Sequence, residues 1–494
     1  MRILIDTNVV IPLEDSTRVL EDSLSKLVRL ASENGHQLLA HPSSYDDIAR
    51  DTNTNRRSIS LSRLRKYSTL QDPPKPSSTE LSELGLVDRD DNDRVDNEIL
   101  YALYRDAANI LITEDRELHK KALQIGIADR VHYIQQATSF LEHLHARIGV
   151  VLPSIEEVPL HQIDLKNSFF DSLRSSYAPF DKWYQEKARE GRTAWMYRDS
   201  EGIPGAIAIF KEERDPIVTT DNRALPGKAL KLCTFKVAEQ VRGRKLGELL
   251  LKAAFRYATS NRIEHVYITM RPGKQDFLED LCTDFGFTLF GEYKDDHVFV
   301  KEHPLHPPDV VIPPLEYHRL FYPHIRSDSG VGKYIVPIRP EFHKVLFPDA
   351  QRQPSLFAPS SAGHAIKQAY LCHARISGIK PGDILLFYRS QDVKGVTSIG
   401  VVESVHEHQD HDKILQLVSK RTVYSYDDIV TMAEKKTKVI LFRLATHLQN
   451  VIPYNWLSEQ GVVNGQIQTI RKISDESFRK IVDECRLGNC FFAD

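Results

Sequence analysis

The chain has 494 residues, more than one ordinary core accommodates, so roughly two to four domains are expected. An apolar fraction of 41% suits folded globular domains, and no apolar run is long enough for a membrane-spanning helix. The formal net charge of −3 excludes bulk attraction to polyanions but leaves room for local basic patches.

The amino terminus carries an apolar run broken at once by Asp6, unlike the basic, apolar and small-residue order of a signal peptide. Five cysteines are scattered without a CxxC pair or zinc-finger spacing; Cys485 and Cys490 are merely close. A reducing, cytoplasmic setting without structural disulfides or a membrane partner is expected.

The first block covers residues 1–147. It opens MRILIDTNVV, where the run Ile3 to Ile5 meets Asp6, Thr7 and Asn8. Ser16 or Thr17 caps a helix carrying Leu20, Leu24, Leu27 and Ala31, with Gly35 past its end. Gln37 to Ala40 reads as a strand, Asn97 to Ala107 as a helix and Ile110 to Thr113 as a strand. Such alternation implies a parallel sheet, with its site at the carboxyl ends of the strands. ILITEDREL brings Thr113, Glu114 and Asp115 to that edge, VDNEILYALY puts Asp96 in the first turn of a helix, and HPSSYDDIARD adds Asp46 and Asp47. Crowded carboxylates call for a cation, and oxygen donors favour Mg²⁺ or Mn²⁺, which activate water against a phosphodiester. Taken singly, Asp6 and Asp115 also suit turns or helix N-caps.

In order, LIDTNVVI, the DDI helix, DNEILYAL and LITEDREL resemble the signature segments of PIN-domain nucleases. The resemblance implies a Rossmann-like α/β/α fold and RNA cleavage with Mg²⁺ or Mn²⁺. It implies Asp6, Asp47, Asp96 and Asp115 as catalytic metal ligands, with Asn8 in support and Thr113 beside the site. The family usually has Glu where Asp47 stands, and Asp46 and Asp93 compete for that role. Arg50, Arg56, Arg57, Arg63, Arg65 and Lys66 make a basic segment that either holds RNA phosphates or is a solvated helix face.

After the connector VLPSIEEVPLHQ, the second block covers residues 156–302. In KLCTFKVAEQVRGRKLGELLLKAAFRYA, a strand from Lys231 to Val237 passes through a basic turn into a helix from Gly247. A helix start offers unpaired N–H groups and a positive dipole end, which suit phosphate. RGRKLG, from Arg242 to Gly247, resembles the pyrophosphate turn of GNAT acyltransferases, with Lys245 in place of the first motif glycine. A hairpin in TAWMYRDSEGIPGAIAIFKEE precedes it; YITM, a helix ending in DFGF and the strand HVFVKE follow in the family's order. The resemblance implies a mixed-sheet α+β fold that binds acetyl-CoA at Val237, Arg242, Gly243, Arg244, Lys245, Leu246 and Gly247. Cys282 stands where the family often has a proton-donating tyrosine; a buried structural cysteine is the other reading. Glu239 and Tyr293 are further candidates for proton transfer. Phe169, Phe170, Trp183 and Tyr184 read as core.

Residues 303–331, dense in proline and histidine, read as a semi-rigid linker. The third block, residues 332–494, has the β-type runs KYIVPI, DILLFY, TSIGVVESV and KVILFRL. KPGDILLFYRS and its neighbours resemble the PUA-like group that includes ASCH and EVE modules. That implies a β-barrel that binds RNA or modified bases, with Tyr388, Arg389, Lys420, Arg421 and Trp456 as contacts.

Together the resemblances imply an α/β multidomain, RNA-directed effector of toxin–antitoxin or defence type. It would join a ribonuclease to an acetyl-CoA-dependent acetyltransferase. RNA, tRNA included, and an antitoxin or regulatory protein are the expected partners. Two alternatives stand: a housekeeping RNA-processing or RNA-modifying enzyme, and a non-catalytic regulator that senses acetyl-CoA.

Overall fold

In a computed structural model of the chain, the first block is built on five short strands: β1 (Arg2–Ile5), β2 (Gln37–Ala40), β3 (Ser68–Thr69), β4 (Ile110–Ile112) and β5 (Val131–His132). The structure describes residues 1–13, 22–50, 52–65, 67–145, 155–177, 179–199, 201–238, 245–273, 276–347, 365–418, 421, 424–485, 487 and 491–493. The strands run parallel in the order β3-β2-β1-β4-β5. Ile3, Leu4, Ile5 and Ile110 to Ile112 are all buried, as central parallel strands covered on both faces require. The strand order reverses between β1 and β4, so the crevice at their carboxyl ends is the place for a site.

The helix carrying Asp96 spans Asp91–Tyr104, beginning earlier than the sequence reading expects. Asp90 supplies its N-cap by accepting from Asp93 N–H, and Val95, Ile99, Leu100 and Leu103 turn its apolar side into the core. Asp96 therefore sits in the second turn, past the reach of the helix start. The helix that Ser16 or Thr17 was expected to cap is seen from Asp22 to Glu33; both caps lie outside the described residues.

The chain forms two compact units. One holds Met1–Val150 together with His408–Thr437, and the other holds Val151–Val241, Lys245–Glu407 and Lys438–Asp494. Residues 408–437 fall within the range expected for the third block, yet they fold with the first. They form a helical hairpin, His411–Val418 and Tyr426–Ala433, the latter started by a Ser425–Asp428 capping box. Lys413 pairs with Asp106 at 3.8 Å, Arg421 pairs with Asp129 at 3.6 Å, and the Tyr426 ring packs against His36 and His145. Asp106, Asp129 and His36 each precede a strand. The hairpin thus covers the amino edge of the sheet, opposite the edge that carries Asp6.

The second unit begins with a seven-stranded sheet: β6 (Glu156–Pro159), β7 (Thr193–Arg198), β8 (Pro204–Arg214), β9 (Lys228–Val237), β10 (His265–Met270), β11 (Thr288–Tyr293) and β12 (Asp296–Glu302). Its order is β11-β12-β10-β9-β8-β7-β6, and β9–β10 is the parallel pair in an otherwise antiparallel sheet. The helix Leu246–Ser260 connects that pair and buries Leu249, Leu250, Ala254, Phe255 and Ala258 against Leu230, Leu232, Val266 and Ile268. Each buried Leu, Ile, Val or Phe side chain there contributes roughly 1.5–3 kcal/mol by leaving water.

Residues 303–331 do more than link. They carry the helix Pro314–Phe321, whose last carbonyls at Arg319 and Leu320 accept from the buried Lys301 ammonium. Strand β13 (Ile325–Arg326) follows. The third block adds β14 (Lys333–Ile338), β15 (Lys367–Cys372), β16 (Ile384–Arg389), β17 (Gly395–His408), β18 (Thr437–Pro453), β19 (Arg471–Ile473) and β20 (Phe492–Ala493). Where the sequence reading expects a barrel, the described residues form an open mixed sheet, β15-β18-β17-β16-β14-β19. Parallel pairing of β14 with β16 leaves β19 at one edge and β15 at the other, with no pairing between them among the described residues. The whole chain is an α/β multidomain protein with several sheets. Among the described residues no helix is long and apolar enough to cross a membrane.

Candidate functional site

Asp6 leaves the end of β1 almost fully buried. Its Oδ1 accepts from Thr7 N–H at 2.7 Å, and its Oδ2 accepts from Thr113 Oγ1 at 2.7 Å and Asn8 Nδ2 at 2.8 Å. Burial raises the Asp6 carboxyl above the usual range; the Thr113 and Thr7 hydrogen bonds oppose this, and the nearby Asp115 charge reinforces it. Asp96 is held up to about 6 by burial, against the pull of Lys121 and with Asp115 and Asp6 pushing the same way as burial. Asp115 is also the N-cap of the helix Arg116–Gln124, its Oδ1 accepting from Glu117 and Leu118 N–H groups.

The other acids go elsewhere. Asp47 pairs with Arg50 at 2.7 Å, and Asp46 is exposed. Asp93 is gripped by Arg89 and by Lys121, which hold it well below the usual carboxylate range. Lys121, which the sequence reading passed over, is nearly buried, with its ammonium 2.8 Å from Asp93 Oδ1 and 3.2 Å from Asp96 Oδ2. Its only signal in the sequence is its place about one and two-thirds helical turns after Asp115. Arg50 of the basic segment is spent on Asp47 and Asn92, while Lys66 and the side chains of Arg56 and Arg63 lie outside the described residues.

An all-carboxylate donor set suits Mg²⁺ or Mn²⁺ in chemistry. The arrangement does not suit it: among the described residues no three His, Cys, Asp or Glu side chains are placed to hold a metal ion. Lys121 takes Asp96, the helix cap takes one oxygen of Asp115, and Arg50 takes Asp47. As placed, these residues do not fit the ion.

In the second unit, β9 and β10 pair from Ala229–His265 to Leu232–Ile268 and then part, β9 continuing along β8 to Val237 and β10 along β12 to Met270. A bulge against β8 at Cys233 marks the parting. The helix Leu246–Ser260 starts from Lys245, whose φ of +56° is the left-handed conformation that favours glycine. The glycine expected there from the resemblance would take that shape freely; lysine pays roughly 1–2 kcal/mol. The Lys245 side chain caps nothing in its helix and donates instead to the Lys367 carbonyl at 2.8 Å. Glu239, Arg242, Gly243 and Arg244 lie outside the described residues. Leu246 is buried, and a Cβ on Gly247 would come within 2.8 Å of Leu281 Cδ2.

Cys282 is fully buried in the core under this helix, and burial pushes its thiol far above the ordinary value, which makes it a packing group here. Tyr293 is exposed at the end of β11. Phe169, Phe170 and Tyr184 lie in a core cluster, with Trp183 packed against it. The sheet face away from the helix carries a pair that sequence reasoning missed. Tyr267 donates to Glu213, which also pairs with Lys211, and the Lys231 ammonium lies 5.4 Å from the Tyr267 ring. Burial pushes Glu213 up, but the Lys211 and Tyr267 hydrogen bonds outweigh it and keep it below the usual carboxylate range.

The third block carries a cleft of about 700 Å³ lined in part by Tyr370, Tyr388, Tyr454, Arg339, His373 and Ser390. Of the expected contacts only Tyr388 lines it. Arg389 is paired with Asp392, Trp456 packs against the core, Arg421 belongs to the hairpin on the first block, and Lys420 lies outside the described residues.

No family model and no curated protein matches the chain. Solved structures similar to parts of it include the ASCH protein of Zymomonas mobilis, at 16% identity and TM-score 0.25, covering 31% of this chain and 94% of that one. An IAA acetyltransferase from Bacillus cereus matches at 16% identity and TM-score 0.22, covering 30% and 97%. A GNAT family N-acetyltransferase from Escherichia coli, in complex with CoA, matches at 14% identity and TM-score 0.22, covering 32% and 84%.

Proposed function

We propose that the second block is a GNAT-type acyltransferase that uses acetyl-CoA, in a chain whose other blocks handle RNA. The observation that carries this reading is the parting of β9 from β10 in front of a helix whose N-cap residue, Lys245, makes no side-chain capping bond. Unpaired N–H groups at Leu246 and Gly247 would face the pyrophosphate. When bound, acetyl-CoA supplies an activated acyl thioester. Glu213, kept ionised by Lys211 and Tyr267 on the sheet face away from the helix, would be the carboxylate that takes a proton from an amine acceptor. The third-block cleft, with three tyrosines and Arg339, suits stacking of a base from an ASCH- or PUA-like reader.

A second reading rests on Asp6 at the end of β1 and Asp115 at the end of β4, neighbouring parallel strands whose carboxyl ends share one sheet edge. It makes the first block a PIN-like ribonuclease and the chain an effector of toxin–antitoxin or defence type, with an antitoxin or regulatory protein as its partner.

The test incubates purified chain with total RNA and labelled acetyl-CoA, with and without Mn²⁺. Label on RNA or protein is the expected result, and absence of acetyl-CoA binding by calorimetry would sink the first reading. RNA shortening abolished by both Asp6→Asn and Asp115→Asn supports the second; shortening unchanged in both removes it.

A further inference from the structure

The first turn of the helix Leu246–Ser260 is held by the third block. Strand β15 lies at the edge of its sheet, and the Ile366 carbonyl just before it accepts from Leu444 N–H on β18. In extended backbone that turns the N–H and carbonyl of Lys367 the other way, to an outer edge that needs partners. Both find them on the helix. Lys367 N–H donates to Glu248 Oε1 at 2.5 Å, and the Lys367 carbonyl accepts from Lys245 Nζ at 2.8 Å. Lys245 is the N-cap of that helix and Glu248 its third residue, the one that reaches back to its own N-cap in an ordinary capping box. Here the carboxylate is buried, and its charge strengthens a bond to another block.

Packing and charge fix the same contact. Tyr322 and Ile366, from outside the second block, sit in the core cluster that holds Leu249, Leu250 and Phe255 of this helix. The Lys367 ammonium pairs with Asp284, at the end of the helix Asp276–Asp284, and lies 3.6 Å from Glu403. Arg443, nearly buried, joins Asp284 at 2.8 Å and Glu403 at 3.0 Å. From Lys367 the strand runs on to Tyr370 and Cys372, which line the third-block cleft. We infer that Glu248 and Lys245 are positioning residues through which β15 sets the shape of the helix start, so that the second and third blocks work as one unit rather than as modules on a linker. The consequence for acetyl-CoA rests on the acyltransferase reading; the anchoring itself rests on the bonds to Lys367.

The test compares Glu248→Gln with Glu248→Ala in the full chain, with folding checked by circular dichroism. Both variants lose the charge, but only glutamine keeps an oxygen within reach of Lys367 N–H. Hydrogen exchange without ligand, read by mass spectrometry over residues 246–252 and 365–371, should quicken tenfold or more in Glu248→Ala and stay within threefold of the parent in Glu248→Gln. Calorimetry should show acetyl-CoA bound at least fivefold more weakly by Glu248→Ala than by Glu248→Gln. Equal exchange in the two variants overturns the anchoring. Exchange that separates them while their acetyl-CoA affinities agree overturns the positioning role. If the unaltered chain binds no acetyl-CoA, the acyltransferase reading and the positioning role fall together, and exchange alone still decides the anchoring. Should Glu248→Ala fail to fold, Lys245→Met decides: it keeps the stem, loses the donor to the Lys367 carbonyl and should quicken exchange over 246–252 at least threefold. Exchange unchanged in Lys245→Met overturns the inference.

Discussion

His318 is fully buried in the second unit, where its Nδ1–H donates to the His324 carbonyl at 3.0 Å and its Nε2 has no partner among the described residues. Burial pushes its pKa from the ordinary 6.5 down to about 3. The unfolded chain takes up this proton below pH 6.5 and the folded chain refuses it, so stability is full above 6.5 and falls as pH drops towards 3. Between pH 7 and pH 5 the loss from one such group is about 2 kcal/mol, since each pH unit inside the window costs about 1.4 kcal/mol. His303, also pushed down to about 3, adds a similar loss. The pair then costs about 4 kcal/mol, a large part of the net stability of an ordinary domain. Urea unfolding at pH 7, 6 and 5 reads this through Trp195, which is buried in the same unit and stacked on Phe210 at 3.8 Å. His318→Asn keeps a donor towards the His324 carbonyl and cannot titrate. It lowers stability at pH 7 through lost volume, but it should remove about 2 kcal/mol from the difference between pH 7 and pH 5. A pH dependence identical in the variant and the parent would refute the argument.

Three other outcomes are expected. Lys301 is buried and pushed down to about 7, so the unfolded chain holds its proton to higher pH than the folded one; stability should rise from pH 7 towards 10, and Lys301→Met should flatten that rise in the same urea assay. Replacing residues 411–433 by a short Gly-Ser link should expose the first unit to protease, because the hairpin covers its amino edge; unchanged protection of residues 1–145 would show that unit to be self-sufficient. Gly247→Val forces Leu281 aside and crowds the helix start, and should weaken acetyl-CoA binding tenfold or more by calorimetry with the fold kept; equal affinity would move the cofactor away from that turn.

Much of this protein was legible in its sequence because local chemistry decides it. The strand Gln37–Ala40 needed only its apolar run, and β4 ended within one residue of its expected limit because Thr113 begins the polar edge. The run from β9 into the helix Leu246–Ser260 followed from apolar periodicity on either side of a basic turn. Asp6 and Asp115 could be placed at one edge, since parallel strands put their carboxyl ends together. Lys121 could not be seen: a lysine on an amphipathic helix looks like any solvated charge until the helix on the other side brings Asp93 and Asp96 to its tip. The burial of Cys282 and the left turn at Lys245 were likewise decided by what packs around them. The hairpin at residues 411–433 lies in the third block by sequence and folds with the first, because its partners Asp106, Asp129, His36 and His145 are hundreds of residues away. Propensity and pattern act over a few turns of chain, whereas charge balance and burial are set by whichever distant segments the fold brings into contact.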